Sequence, residues 1–228
     1  MPPKSLKSSY TAEQLRASIA KPNWIVRRAS RGDTTSAGNP CQTRFEIAQY
    51  FRCYPAMLLL VPLAFLLMMA LGWWKDIDWR ISLAVSAVVA IGVPFQIVTT
   101  MMKKFATGNV NPGFVLDDSH VAVFADLRAG GSQPRNAVKV IYAPLSKMSG
   151  GPYRKGDRVT TTCLYAGPPD ASGAWTDVHP FPVAAGSTDP VALARLEMSL
   201  SDAEWLEARQ HVDQIGSSKQ KLKKFWQS

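Results

Sequence analysis

Two long apolar stretches interrupt a chain whose other segments mix polar and apolar residues. Residues 55–74, PAMLLLVPLAFLLMMALGWW, carry no charge and contain seven leucines. At 1.5 Å of rise per residue, about twenty helical residues cover the ~30 Å hydrocarbon core of a bilayer, so this stretch predicts a transmembrane helix. The polar residues 1–54 before it, and its length, argue against a secretory signal peptide. Residues 81–102, ISLAVSAVVAIGVPFQIVTTMM, are also uncharged and long enough to span, although Pro94, Gln96 and several hydroxyls make them the weaker inserter. Only KDIDWR, residues 75–80, separates the two, which is enough for a turn but not a domain. The pattern therefore predicts an antiparallel hairpin.

Beyond the second stretch the pattern changes to short β-prone runs: 113–116, 120–127, 137–145, 157–165 and 175–181. They are separated by Gly, Pro, Asp and Ser clusters of the kind that end strands. Residues 189–200 and 201–215 then read as helices. The second opens with Ser201 and Glu204 in capping-box spacing and offers Trp205, Leu206 and Val212 as a core face. Upstream, Thr11 and Gln14 mark a short helix over 10–20. Residues 21–40 are too rich in Pro, Gly, Ser, Thr and Arg to fold alone, and 43–51 read as a juxtamembrane helix continuous with the first span or lying along the interface. The expected fold is a membrane α-hairpin of two transmembrane helices plus a cytoplasmic α+β domain, a small antiparallel sheet or barrel followed by two helices. Its parts are a basic N-terminal tail (1–53), the hairpin (54–104), the α+β domain (105–215) and a basic aromatic tail (216–228).

Charge distribution sharpens this picture. The net charge of +9 resides in residues 1–53 (+6) and 216–228 (+4), while 103–215 carry −1. A nucleic-acid-binding domain would carry the excess on itself, so nucleic acid is not an expected partner. Lys/Arg near span ends resist translocation, and Arg52, Lys103 and Lys104 flank the hairpin while the 75–80 loop is charge-balanced. The expected location is the cell membrane, multi-pass, with both termini cytoplasmic. Trp73, Trp74 and Trp79 around the loop are suited to the headgroup layer. The last residues, with Lys219, Lys221, Lys223, Lys224, Phe225 and Trp226, could lie on anionic lipid or an acidic protein face.

On the second span Ser82, Ser86 and Ala90 follow at four-residue spacing, the small-xxx-small pattern of close helix packing. At about 100° per residue Gln96 falls about 40° from Ser82, on the side away from Ser86. This face packs either on the chain's own first span or on a partner helix, where the Gln96 amide would find a hydrogen bond. A channel would require oligomerisation.

The search for chemistry returns little. His120, His179 and His211 are isolated, and Cys41, Cys53 and Cys163 are far apart without CxxC spacing, so neither a metal nor a cofactor is expected. Cys163 reads as a buried small apolar residue. Asp177 and His179, two apart in a strand, are the best acid–base pair, with no nucleophile placed beside them.

The order FRCYP, first span, tryptophan-rich loop, second span, NPGFVL and a β-rich body ending in a helix with an EW pair resembles an uncharacterised family of actinobacterial two-span membrane proteins with a domain of unknown function. The likeness covers most of residues 50–215 and brings no catalytic residue with it. Small membrane proteins of this type are also similar to accessory subunits of the actinobacterial respiratory supercomplex of cytochrome bcc and cytochrome aa3 oxidase. This second likeness implies a non-catalytic accessory or assembly subunit, partnered by integral membrane subunits and anionic lipids. The other reading is a membrane-tethered ligand-binding or enzymatic domain acting on lipid or envelope precursors.

Overall fold

A computed structural model describes residues 10–19, 38–128, 134–169, 173–215 and 222–225. Helix α1 (Ala12–Ala17) begins with the capping box read in the sequence, the Thr11 hydroxyl accepting from the Gln14 amide and the Gln14 side chain reaching back to Thr11. Most of the 21–40 segment lies outside the described residues. Helix α2 (Ile47–Cys53) ends at Tyr54, and Pro55 opens α3 (Ala56–Trp74). After a four-residue turn α4 runs from Trp79 to Thr107, with Asp78 capping it through the Arg80 amide at 2.7 Å. Helices α3 and α4 are each long and apolar enough to cross a membrane.

The hairpin closes where side chains are smallest. A Cβ on Gly72 would overlap the Ser82 hydroxyl, so the two helices touch almost backbone to backbone at their loop end. Ser86 donates to the Ser82 carbonyl at 2.6 Å, which satisfies a hydroxyl inside the interface. Further down, Met57 and Leu60 of α3 face Val93, Pro94 and Ile97 of α4. The packed stripe on α4 thus drifts from 82, 86 and 90 to 93, 94 and 97, away from position 96.

Helix α4 does not stop at the expected residue 102. It continues into the body, where its last turn lies against β4 and Thr162 donates to the Lys104 carbonyl at 2.7 Å. Six strands follow: β1 (Asn109–Asp117), β2 (His120–Asp126), β3 (Asn136–Tyr142), β4 (Arg158–Pro169), β5 (Trp175–Pro182) and β6 (Leu222–Lys224). They form one antiparallel sheet in the order β5-β4-β1-β2-β3-β6. The sheet curls into a half-barrel. Arg128, beyond β2, bridges Ala174, before β5, and the Trp175 amide donates to the Leu127 carbonyl at 2.7 Å. Small residues allow this curvature, since Val121, Ala122, Val123, Ala125, Ala137 and Thr161 are wholly buried. The sixth strand comes from the basic tail, where Lys223 and Lys224 pair with Val138 and Ala137 and Phe225 packs on the core. These three residues belong to the sheet edge and not to a loose tail, while Lys219, Lys221 and Trp226 lie outside the described residues.

Helices α5 (Pro190–Met198) and α6 (Asp202–Asp213) complete the body. Trp205, Ala208 and Val212 form the buried face of α6, with the Trp205 ring edge-on to Phe114 at 5.6 Å and under the Arg158 guanidinium at 4.9 Å. Leu206, one residue and so about 100° off that face, points to solvent and is no part of the core. Trp205→Ala should therefore cost about 3–5 kcal/mol by cavity formation, and Leu206→Ala no more than about 0.5 kcal/mol. Denaturant unfolding of the two variants checks this; equal losses would contradict the assigned face.

Candidate functional site at the base of the hairpin

The last turn of any helix leaves carbonyls without intrahelical partners, and at the end of α4 the chain supplies partners from a distance. The Thr43 amide donates to the Phe105 carbonyl at 3.0 Å and the Cys41 amide to the Gly108 carbonyl at 2.9 Å, while the Glu46 amide reaches Gly186 at 2.8 Å. Arg195 of α5 holds this segment from outside, its Nη2 donating to the Cys41 and Gln42 carbonyls at 2.9 and 3.1 Å and to the Thr43 hydroxyl at 3.1 Å. Gln42 has φ of +47°, an uncommon conformation for a residue other than glycine, and its carbonyl accepts one of these bonds.

Rings fill the space inside this clasp. Phe105 of α4 lies 5.2 Å from Phe45 and 5.9 Å from Phe181 of β5, and Phe181 lies 5.9 and 5.7 Å from Tyr50 and Tyr54, one turn apart across the end of α2. Helix α2 is thereby drawn into the body. Gln49, Tyr50 and Cys53 are buried instead of lying free along an interface. Lys104 is buried too, at 5% exposure, with its ammonium 5.8 Å from the Phe181 ring. The expectation that it sits with Lys103 at the membrane surface fails because α4 continues past 102 and turns position 104 toward β4 and β5.

The curl of the sheet brings β3 to β5, which are four places apart in the strand order. Lys139 crosses the seam, its Nζ donating to both Asp177 oxygens at 2.7 and 3.0 Å and to the Val178 carbonyl at 2.7 Å. Burial works to raise the Asp177 carboxyl, but the Lys139 hydrogen bond and the Val178 amide outweigh it and hold the group below its ordinary value. His179 is lowered, first by burial and then by the Lys139 charge, which favours the neutral imidazole. Asp177 therefore serves an ion pair across the seam. A lysine inside the apolar run AVKVIY was the available signal, because a strand interior tolerates a buried ammonium only with a partner.

The remaining candidates separate. Ser82, Ser86 and Ala90 are buried against the chain's own α3, and Gln96 is exposed, so the four residues do not form one face. Trp73, Trp74 and Trp79 are exposed around the loop, with Lys75 over Trp74 and Arg80 over Trp79 at 4.8 and 5.6 Å. Arg52 is exposed at the end of α2. Cys41 and Cys163 are buried, and burial pushes their thiols up to about 11 and about 12, which keeps them protonated and unreactive at neutral pH. Among the described residues no group of three or more His, Cys, Asp or Glu side chains could hold a metal ion.

The architecture is that of an apolar helical hairpin whose second helix runs on into a half-barrel domain. The chain belongs to the family of proteins of unknown function named DUF3239, whose model matches residues 96–216, from the end of α4 through α6. A crystal structure of a candidate membrane protein from Corynebacterium diphtheriae is similar, with 16% sequence identity and a TM-score of 0.43, covering 51% of this chain and 100% of that one. No curated protein matches.

Because the Asp177 carboxyl is lowered in the fold, its contribution is full above the unfolded value of about 4 and is lost as pH falls through the lower folded value. Asp177→Asn should therefore destabilise the protein at pH 7, on the order of 1 kcal/mol or less once solvent screening of the partly exposed carboxylate is allowed for, and have a smaller effect at about pH 2–3. Thermal melts of both proteins at the two pH values test this; a deficit independent of pH would contradict it.

Proposed function

We propose that this chain is a membrane-anchored, non-catalytic accessory or assembly subunit of a larger membrane protein complex, with the hairpin crossing the membrane and both chain ends in the cytoplasm. Support for the anchor comes from the outer surface of the hairpin, where Leu59, Leu63, Leu66, Val88 and Ile91 are each more than half exposed. A two-helix hairpin with that surface is stable in hydrocarbon and aggregation-prone in water. The orientation rests on Arg52 and Lys103 at one end against the charge-balanced loop at the other.

The observation that carries the partner is Gln96. Its side chain is exposed, while Val93, Pro94 and Ile97 make the contact with α3. Hydrocarbon offers an amide no hydrogen bond, whereas a polar group on a neighbouring helix does, typically at about 0.5–2 kcal/mol. The respiratory cytochrome bcc–aa3 supercomplex is the first complex to test, on the strength of the likeness in subunit type.

Gentle detergent extraction followed by identification of co-migrating proteins tests the proposal. Membrane subunits should co-migrate with the wild-type chain and be depleted with Gln96→Leu, which keeps the span apolar. A chain that migrates alone, or a Gln96→Leu variant that retains every partner, would overturn the partner reading.

A further inference from the structure

A cavity of about 460 Å³ opens where α2 meets the loop after β3. It is lined by Gln49 and Arg52 of α2, by Ser146, Lys147, Gly150 and Gly151 of the loop, and by Thr188. We propose that it binds the phosphate headgroup of an anionic phospholipid, with Arg52 and Lys147 as the recognising charges. The inference rests on the membrane-anchored reading above.

Four observations support it. Arg52 and Lys147 are both exposed, and neither side chain has a hydrogen bond or ion pair among the described residues. They meet on one cavity although they are 95 residues apart in the chain, since both line it. The loop is built to hold that approach. Gln49 donates to the Lys147 carbonyl at 3.1 Å and to that of Ala184 at 3.3 Å, and the Cys53 thiol donates to Lys147 at 3.4 Å, so the loop backbone is fastened to α2 while the lysine side chain stays free. Gly150, at φ +78°, makes a turn that a larger residue would strain, and with Gly151 it leaves that wall of the cavity without side chains.

The residues that line the cavity include two cations and no carboxylate. Glu46 bonds the Thr188 amide at 2.9 Å and hydroxyl at 2.7 Å and pairs with neither cation. A ligand carrying one or two negative charges fits such a lining.

Position favours a lipid over a free anion. Arg52 stands four residues before Ala56, the first residue of α3, at the level where a headgroup would lie beside the base of the hairpin. Its chain neighbour Phe51 packs against Tyr50 and the apolar core at the foot of the hairpin, so the cavity lies beside the apolar helices and not at their far end.

Native mass spectrometry of the full chain, extracted in detergent and exchanged into mixed phosphatidylglycerol and phosphatidylcholine micelles, tests the site. The wild type should retain phosphatidylglycerol selectively, and Arg52→Ala/Lys147→Ala should bind it about tenfold or more less tightly. Lys75→Ala/Arg80→Ala, which removes two charges at the loop end, should behave as wild type, and Arg52→Lys/Lys147→Arg should keep the selectivity. Equal retention by the two alanine pairs would overturn the proposal, as would displacement of the lipid by inorganic phosphate with no preference for headgroup. A chain recovered without detergent would instead sink the membrane reading on which the site depends, so the two failures are distinguishable.

Discussion

The structure depends on how the last turn of the long helix is ended. A 29-residue apolar helix that runs directly into a β-strand must satisfy its terminal carbonyls and bury its last apolar side chains at one place. Cys41, Thr43 and Thr162 supply the hydrogen bonds, and Phe45 and Phe181 flank Phe105, with Tyr50 and Tyr54 packed on those two rings. Because neighbouring residues do both, the hairpin, the segment before it and the sheet hold one another in place. Arg195 extends this grip to α5 and, through Nε to the Ser18 hydroxyl at 3.1 Å, to the region of α1.

The elements were legible in the sequence and their couplings were not. Both apolar helices and five of the six strands follow from run length and from alternation between Gly/Pro clusters, signals that act within a dozen residues. The capping boxes at Thr11 and Ser201 are equally local. What escaped are pairings across the chain. Lys139 meets Asp177 only because the sheet curls, and Arg195 meets Cys41 only because the 38–46 segment folds back along α4. The strand at 222–224 is three residues long and borrows its identity from the edge of β3, so no periodicity could announce it. For the second span the spacing of Ser82, Ser86 and Ala90 correctly marked a close-packed face, but helical angles alone could not say that the stripe drifts with the crossing of the two helices and leaves Gln96 outside.

The body offers ion pairs, buried thiols and caps, each of which has a structural task. Lys139 and Asp177 close the seam, the cysteines fill the core, and Glu46 fixes the loop at Thr188. The Gln96 amide on α4 and the Arg52 and Lys147 charges beside α2 have no such task among the described residues, and on these the proposed partner and lipid contacts rest. In that account the half-barrel sets the angle and height of the hairpin, and the hairpin and its base make the contacts.

Everything in this account requires that the hairpin cross the membrane with its tryptophan-rich loop on the far side. Since all three native cysteines are buried, single reporters can be placed at exposed positions, Lys75→Cys in the loop and Asp118→Cys in the turn between β1 and β2. Labelling intact cells with a membrane-impermeant maleimide should modify Lys75→Cys at once and Asp118→Cys only after permeabilisation. Equal labelling of both before permeabilisation, or the reverse pattern, would contradict it.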